Sequence, residues 1–194
     1  MKNYRIKQQS GFTLVELLVA LVILTILAVT VTGAFDGSKS RAQALVSNMK
    51  EFGNANVRLK NDTGCYVNRP DALYNMTVGQ AAASNYCNKD FSSTWNGPYV
   101  SKFTADAATG AANIDKIASG AQVAFLQEAG GMGTRYITRA TGLPNDIVKN
   151  ALQECNADVT ESSAATYFDN HQCRGTASGA DGSAIFEMVY DETR

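Results

Sequence analysis

From Phe12 to Phe35 nearly every position is apolar (FTLVELLVALVILTILAVTVTGAF), and Glu16 carries the only charge in the run. A helix needs about 20 such residues to cross the hydrocarbon of a bilayer. The run therefore predicts a transmembrane helix that is apolar on all sides, not on one stripe. Asp36-Gly37-Ser38 interrupts it, and the pattern then becomes periodic. Ala42, Leu45, Met49 and Phe52 step by three and four, while Lys39, Arg41, Lys50 and Glu51 fall off that stripe. This predicts an amphipathic helix over 38–60. If the two halves join, a single helix from Phe12 to Lys60 is about 70 Å long at 1.5 Å per residue. Asn61-Asp62-Thr63-Gly64 supplies the turn chemistry that ends it.

Beyond this point the pattern is weaker. Residues 65–120 are polar, Ala-rich and Gly-rich, with little periodicity. Ala121–Gln127 and Thr134–Arg139 alternate as two strands around a Gly-rich hairpin loop at 128–133. Pro144–Cys155 predicts a helix, with proline in the first turn and Ile147, Val148, Ala151, Leu152 and Cys155 on one face. Ala184–Tyr190 predicts a closing strand. The fold class expected is α+β: one long N-terminal helix, then a head with an antiparallel sheet and at least one further helix.

The 194 residues suit one domain plus an appendage. Formal net charge is −1, so no overall field favours nucleic acid. Lys2, Arg5 and Lys7 precede any acidic residue. Without residues 1–11, 14 basic side chains face 18 acidic ones, a balance of −4. The basic start should remain cytoplasmic, which places everything after Asp36 on the other side of the membrane. Four cysteines, at 65, 87, 155 and 173, then suggest two disulfides in an oxidising compartment, with four buried free thiols as the alternative. Three connectivities are possible. Cys65–Cys87 with Cys155–Cys173 is favoured because each closes a short loop, at about 3 kcal/mol apiece in chain-entropy terms. No CxxC is present and the only histidine is His171, so the cysteine spacings resemble no metal cluster.

No catalytic constellation is visible. His171 stands in Asp169-Asn170-His171-Gln172 without a nucleophile or an orienting group, and no cofactor motif occurs, so the chain is not read as an enzyme. Asn61-Asp62 and the Gly-Ala-Asp-Gly stretch at 179–182 lack EF-hand spacing and read as turns before calcium ligands. Asn61 and Asn75 begin N-glycosylation sequons, matches expected by chance. Arg135, Arg139 and Lys149 are cations without interleaved aromatics, which describes a solvated face better than a nucleic-acid footprint.

Glu16 remains to be explained. A carboxylate within a membrane helix costs roughly 2.5–3.5 kcal/mol at the centre, and such a charge marks a function with a partner. A secretory signal cut near Thr32-Gly33-Ala34 would leave it idle, and the apolar run exceeds the usual signal length. A plain uncleaved anchor leaves it idle as well. Ser10-Gly11-Phe12-Thr13-Leu14-Val15-Glu16, however, resembles the type III signal of type IV pilins and type II secretion pseudopilins. The likeness covers residues 7–35. It implies a leader, Met1–Gly11, removed by a membrane peptidase that cuts after Gly11 and methylates the new amine of Phe12. It further implies that the Phe12 amine of one subunit meets Glu16 of another, a charge pair that fixes register in an apolar bundle.

The same resemblance implies a pilin fold divided as leader 1–11, filament-core half of the spine helix 12–35, amphipathic half 36–60 and head 61–194. Gly33 and Gly37 stand where many pilins carry a helix breaker, or are simply two glycines at the membrane exit. Phe91–Val100 (FSSTWNGPYV), an aromatic followed by Gly and Pro, resembles a turn-and-strand entry in several pilins and pseudopilins, or is a generic Asn-Gly turn with a buried Trp95. The strand, Gly-Leu-Pro and Cys-bearing helix are similar to type IVb heads, whereas the short leader and Phe12 are similar to type IVa. The loop between Cys155 and Cys173 is expected to face outward. Implied partners are copies of itself or other pilins, prepilin peptidase, inner-membrane assembly machinery and the membrane before assembly. The implied location is the bacterial inner membrane, then a surface pilus for adhesion, motility or DNA uptake, or a periplasmic pseudopilus. A membrane-anchored binding protein or enzyme is the remaining alternative.

Overall fold

Leucine, valine, isoleucine and alanine fill Leu14–Thr32, which forms helix α1. The structure, a computed structural model, describes residues 13–32, 37–130, 133–156, 172–176 and 183–193, and in α1 it describes side chains as far as Thr25. Two compact units are present, Met1–Gly37 and Ser38–Arg194. Among the described residues no helix is long and apolar enough to cross a membrane. The run expected to do so is described with its side chains only over Thr13–Thr25. The expected junction between the two helix halves, including Gly33, lies at 33–36, outside the described residues.

Helix α2, Gly37–Thr63, supplies the start of the second unit from Ser38 onward. Its buried side chains start with the stripe read from spacing: Ala42, Leu45 and Met49 are buried and Phe52 is half-buried. The stripe then continues through Gly53, Ala55, Asn56 and Leu59. At Gly53 a Cβ would fall 2.6 Å from the Cβ of Tyr190, so only glycine lets α2 approach the sheet this closely. The helix ends three residues later than the expected Lys60. Gly64 adopts φ +83° and its N–H donates to the Lys60 carbonyl at 2.7 Å, a left-handed C-terminal cap.

Residues 65–111 hold only short helical pieces: a 3-10 turn at Pro70–Leu73, helix α3 at Met76–Gln80 and a second 3-10 turn at Ala82–Ser84. They pack a cluster of Cys65, Val67, Ala72, Leu73, Phe91 and Trp95 against Ala55 and Leu59 of α2. Trp95 is buried, and its ring N–H donates to the Ala72 carbonyl at 3.2 Å.

Among the described residues five strands follow: β1 (Ala112–Asn113), β2 (Gln122–Ala129), β3 (Thr134–Leu143), β4 (Cys173–Thr176) and β5 (Ala184–Thr193). They form one antiparallel sheet in the order β1-β2-β3-β5-β4. With its helices the protein is α+β, as the alternation and helical spacing predict. The β2–β3 hairpin pairs from Gln122↔Thr141 to Ala129↔Thr134, so its loop is shorter than the expected 128–133. Helix α4, Asn145–Asn156, follows Pro144 and buries Ile147, Val148, Ala151 and Leu152. The core side of the sheet (Val123, Ala140, Phe186, Met188 and Cys173) packs with these residues and with Ala42, Leu45, Val46 and Met49 of α2. Both cysteine pairs are bonded, Cys65–Cys87 with Cα atoms 6.2 Å apart and Cys155–Cys173 with Cα atoms 6.1 Å apart.

Candidate assembly segment

Thr13 immediately precedes α1 and is its N-cap; Glu16 is the third helical residue. The Thr13 N–H donates to Glu16 Oε2 at 3.1 Å, and the Glu16 N–H donates to Thr13 Oγ1 at 3.3 Å. This is the reciprocal capping box, which satisfies two amide donors that a helix start otherwise leaves open. The Thr13 hydroxyl also donates to Glu16 Oε2 at 3.1 Å. Three interactions therefore hold Glu16, and two of them converge on a single carboxylate oxygen as donors from Thr13. The helix dipole favours an anion at this end as well. A charge-only reading of Glu16 overlooks this local role, although the signal, Thr-x-x-Glu before an apolar run, stands in the sequence. Gly11 and Phe12, the residues flanking the expected cleavage, lie outside the described residues.

Every described side chain from Thr13 to Thr25 is exposed. Leu14 is 81 % exposed, and even Val22, the least exposed of the large apolar residues in this stretch, is 49 % exposed. At 100° per residue, Leu14, Val15, Leu17, Leu18, Val19, Leu21, Val22, Ile23 and Leu24 surround the helix axis with no polar face. A helix of this kind has to be covered on all sides, by lipid or by other helices. Burial is worth roughly 1.5–3 kcal/mol for each large apolar side chain, which gives the segment a strong drive toward either environment.

Among the described residues of the second unit, charged groups named by the sequence pair with one another. Arg135 pairs with Glu192 at 3.2 Å and Arg139 pairs with Glu187. Two of the three cations in the 135–149 stretch are thus paired within the sheet. Glu187 is only 3 % exposed and also pairs with Arg174, which reaches Glu128 at 2.9 Å. In this cluster each arginine faces a glutamate across the sheet. Asp62 accepts the Tyr99 hydroxyl at 2.8 Å. Burial, together with that carboxylate, pushes the Tyr99 hydroxyl up to about 12. Burial first, then the Asp191 carboxylate that accepts its hydrogen bond, raises the Tyr66 hydroxyl further. Burial likewise raises Tyr190, whose hydroxyl accepts a hydrogen bond from Asn56 Nδ2 at 2.9 Å. These tyrosines stay neutral at ordinary pH and act as packing and hydrogen-bonding groups. Among the described residues no group of His, Cys, Asp or Glu could hold a metal ion. His171 and residues 179–182 lie outside the described residues.

Residues 6–32 match the family model described as the prokaryotic N-terminal methylation motif. The matched span contains the capping box and all of α1. Neither a curated protein nor a solved structure matches the chain.

Proposed function

We propose that this chain is a structural subunit of a type IV pilus, made as a membrane-inserted precursor and polymerised through its N-terminal helix. One coincidence carries the reading: the methylation motif at 6–32 falls on a helix whose described apolar side chains, Leu14 to Leu24, are exposed all round. In this account the apolar run Phe12–Phe35 anchors the precursor in the membrane. Prepilin peptidase removes Met1–Gly11 and the Phe12 amine is methylated. Polymerisation then moves the apolar helix from lipid into a core made of its own kind. The transfer exchanges one apolar environment for another, so direction has to come from packing and from the Phe12–Glu16 charge pair. The head, closed by two disulfides, is the part left to meet partners outside the cell.

Mechanical shearing of intact cells tests the filament reading. The expected result is recovery of the processed chain as a major component of the sheared surface fibres. A processed chain that stays wholly in the periplasm would instead make it a pseudopilin of a type II secretion system. A chain that never enters a polymer would overturn both readings in favour of a membrane-anchored protein.

A further inference from the structure

Beside each disulfide, an asparagine holds the same stretch of backbone without using sulfur. Asn156 ends α4 and follows Cys155. Its Nδ2 donates to the Cys173 carbonyl at 2.9 Å, and its Oδ1 accepts the Cys173 N–H at 3.0 Å. Both peptide groups of Cys173 are therefore held by the residue adjacent to its sulfur partner. Cys173 lies on β4, the last strand of the sheet, and faces Met188 of β5. Among the described residues Asn156 takes the place of a neighbour strand on that side, offering one donor and one acceptor in the spacing a peptide would.

The other bond has a similar frame. Val67 bridges Asn85, the Tyr86 N–H donates to the Tyr66 carbonyl at 3.0 Å, and the Asn68 N–H donates to the Ser84 carbonyl at 2.9 Å. In that antiparallel register Cys65 falls opposite Cys87. Asn56 of α2 grips the far side of the same segment: its Nδ2 donates to the Val67 carbonyl and its Oδ1 accepts the Val67 N–H, both at 3.0 Å. Asn85 Oδ1 in turn accepts the Cys87 N–H at 3.1 Å. The Cα separations of 6.2 and 6.1 Å fall within the range a disulfide spans without backbone movement.

We propose that these asparagines are positioning residues for disulfide formation: they hold the reduced cysteines in bonding register and so select one of three connectivities. The chemistry is ordinary exchange with a small disulfide oxidant such as glutathione disulfide. One cysteine thiolate attacks the oxidant, forms a mixed disulfide and releases one glutathione thiol. The partner thiolate then displaces the second glutathione. Two electrons and two protons leave the protein on the two glutathione thiols, and one protein S–S bond forms. The second displacement depends on the local concentration of the partner thiol, and Asn156 sets that concentration for Cys155 and Cys173. This inference does not depend on the filament reading.

The test uses the full-length chain in detergent, equilibrated in mixtures of reduced and oxidised glutathione, acid-quenched and mapped by mass spectrometry of non-reduced peptides. Asn156→Ala should lower the effective concentration of the Cys155–Cys173 pair by about tenfold, the scale expected for two lost hydrogen bonds. The Cys65–Cys87 pair in the same molecules should be unchanged. Asn156→Asp keeps the acceptor for the Cys173 N–H and loses the donor, so its value should fall between the two. An unchanged Cys155–Cys173 pair in Asn156→Ala would overturn the assignment. So would an equal loss at both pairs, the pattern that general unfolding of the head produces.

Discussion

Glu16→Gln should abolish filament assembly while leaving the start of α1 intact. Glutamine in the third helical position still accepts the Thr13 N–H, because the capping box works with either Glu or Gln. The substitution therefore spares the helix start seen in the Thr13–Glu16 hydrogen bonds and removes only the negative charge. In the proposed filament core the Phe12 ammonium then has no anion. An uncompensated buried charge costs about 3–5 kcal/mol, which is at least a hundredfold in association when each 1.4 kcal/mol is tenfold. Glu16→Ala loses the same charge and also the reciprocal cap, a further ~1 kcal/mol. Both variants should be absent from sheared fibres while the head keeps its two disulfides. A Glu16→Gln protein that assembles normally beside a Glu16→Ala protein that does not would make Glu16 a helix cap and nothing more.

Asn56→Ala should be among the most damaging single substitutions in the head. Asn56 is fully buried on α2 and makes three hydrogen bonds: two to the peptide groups of Val67 and one to the Tyr190 hydroxyl. Alanine leaves all three partners without it in a site with little access to water. Each orphaned buried group costs about 1–3 kcal/mol, so a loss of about 3–5 kcal/mol is expected after partial relaxation. For a unit of this size, that corresponds to a fall in Tm of roughly 10 °C or more. Thermal unfolding of the detergent-solubilised chain reads it directly. Asn54→Ala, on the exposed face two residues away, is the matched control and should change stability by no more than about 0.5 kcal/mol. Equal effects from the two substitutions would remove Asn56 from its place as the tie between α2, the Cys65 loop and β5.

These two residues show where the sequence was readable. Glu16 stands out because it is the one charge in an apolar run and its local partner, Thr13, is three residues away. Everything needed to notice the pair lies in one short window. The α2 stripe was likewise legible from Ala42 to Phe52, where apolar residues recur at helical spacing. It becomes illegible at Gly53 and Asn56, because a glycine and an asparagine look like interruptions of a core face. Both lie on that face, one admitting Tyr190 and the other bonding Val67. Strand β4 has the same difficulty. Cys173-Arg174-Gly175-Thr176 shows no apolar alternation, and it pairs because β5 presents a free edge. Glu187 reads as an outward residue in an alternating strand; its burial depends on Arg139 and Arg174, which no local pattern connects to it. Local chemistry at the N-terminus was thus written in the sequence, while the ties inside the head are set by residues far apart in the chain.

The most direct test of the filament account is the intact mass of the protein extracted from membranes. The account predicts loss of Met1–Gly11 and a single added methyl group on the amine of Phe12, located by fragmentation of the N-terminal peptide. An intact leader, or a chain cut after Ala34 with the apolar helix gone, would contradict it.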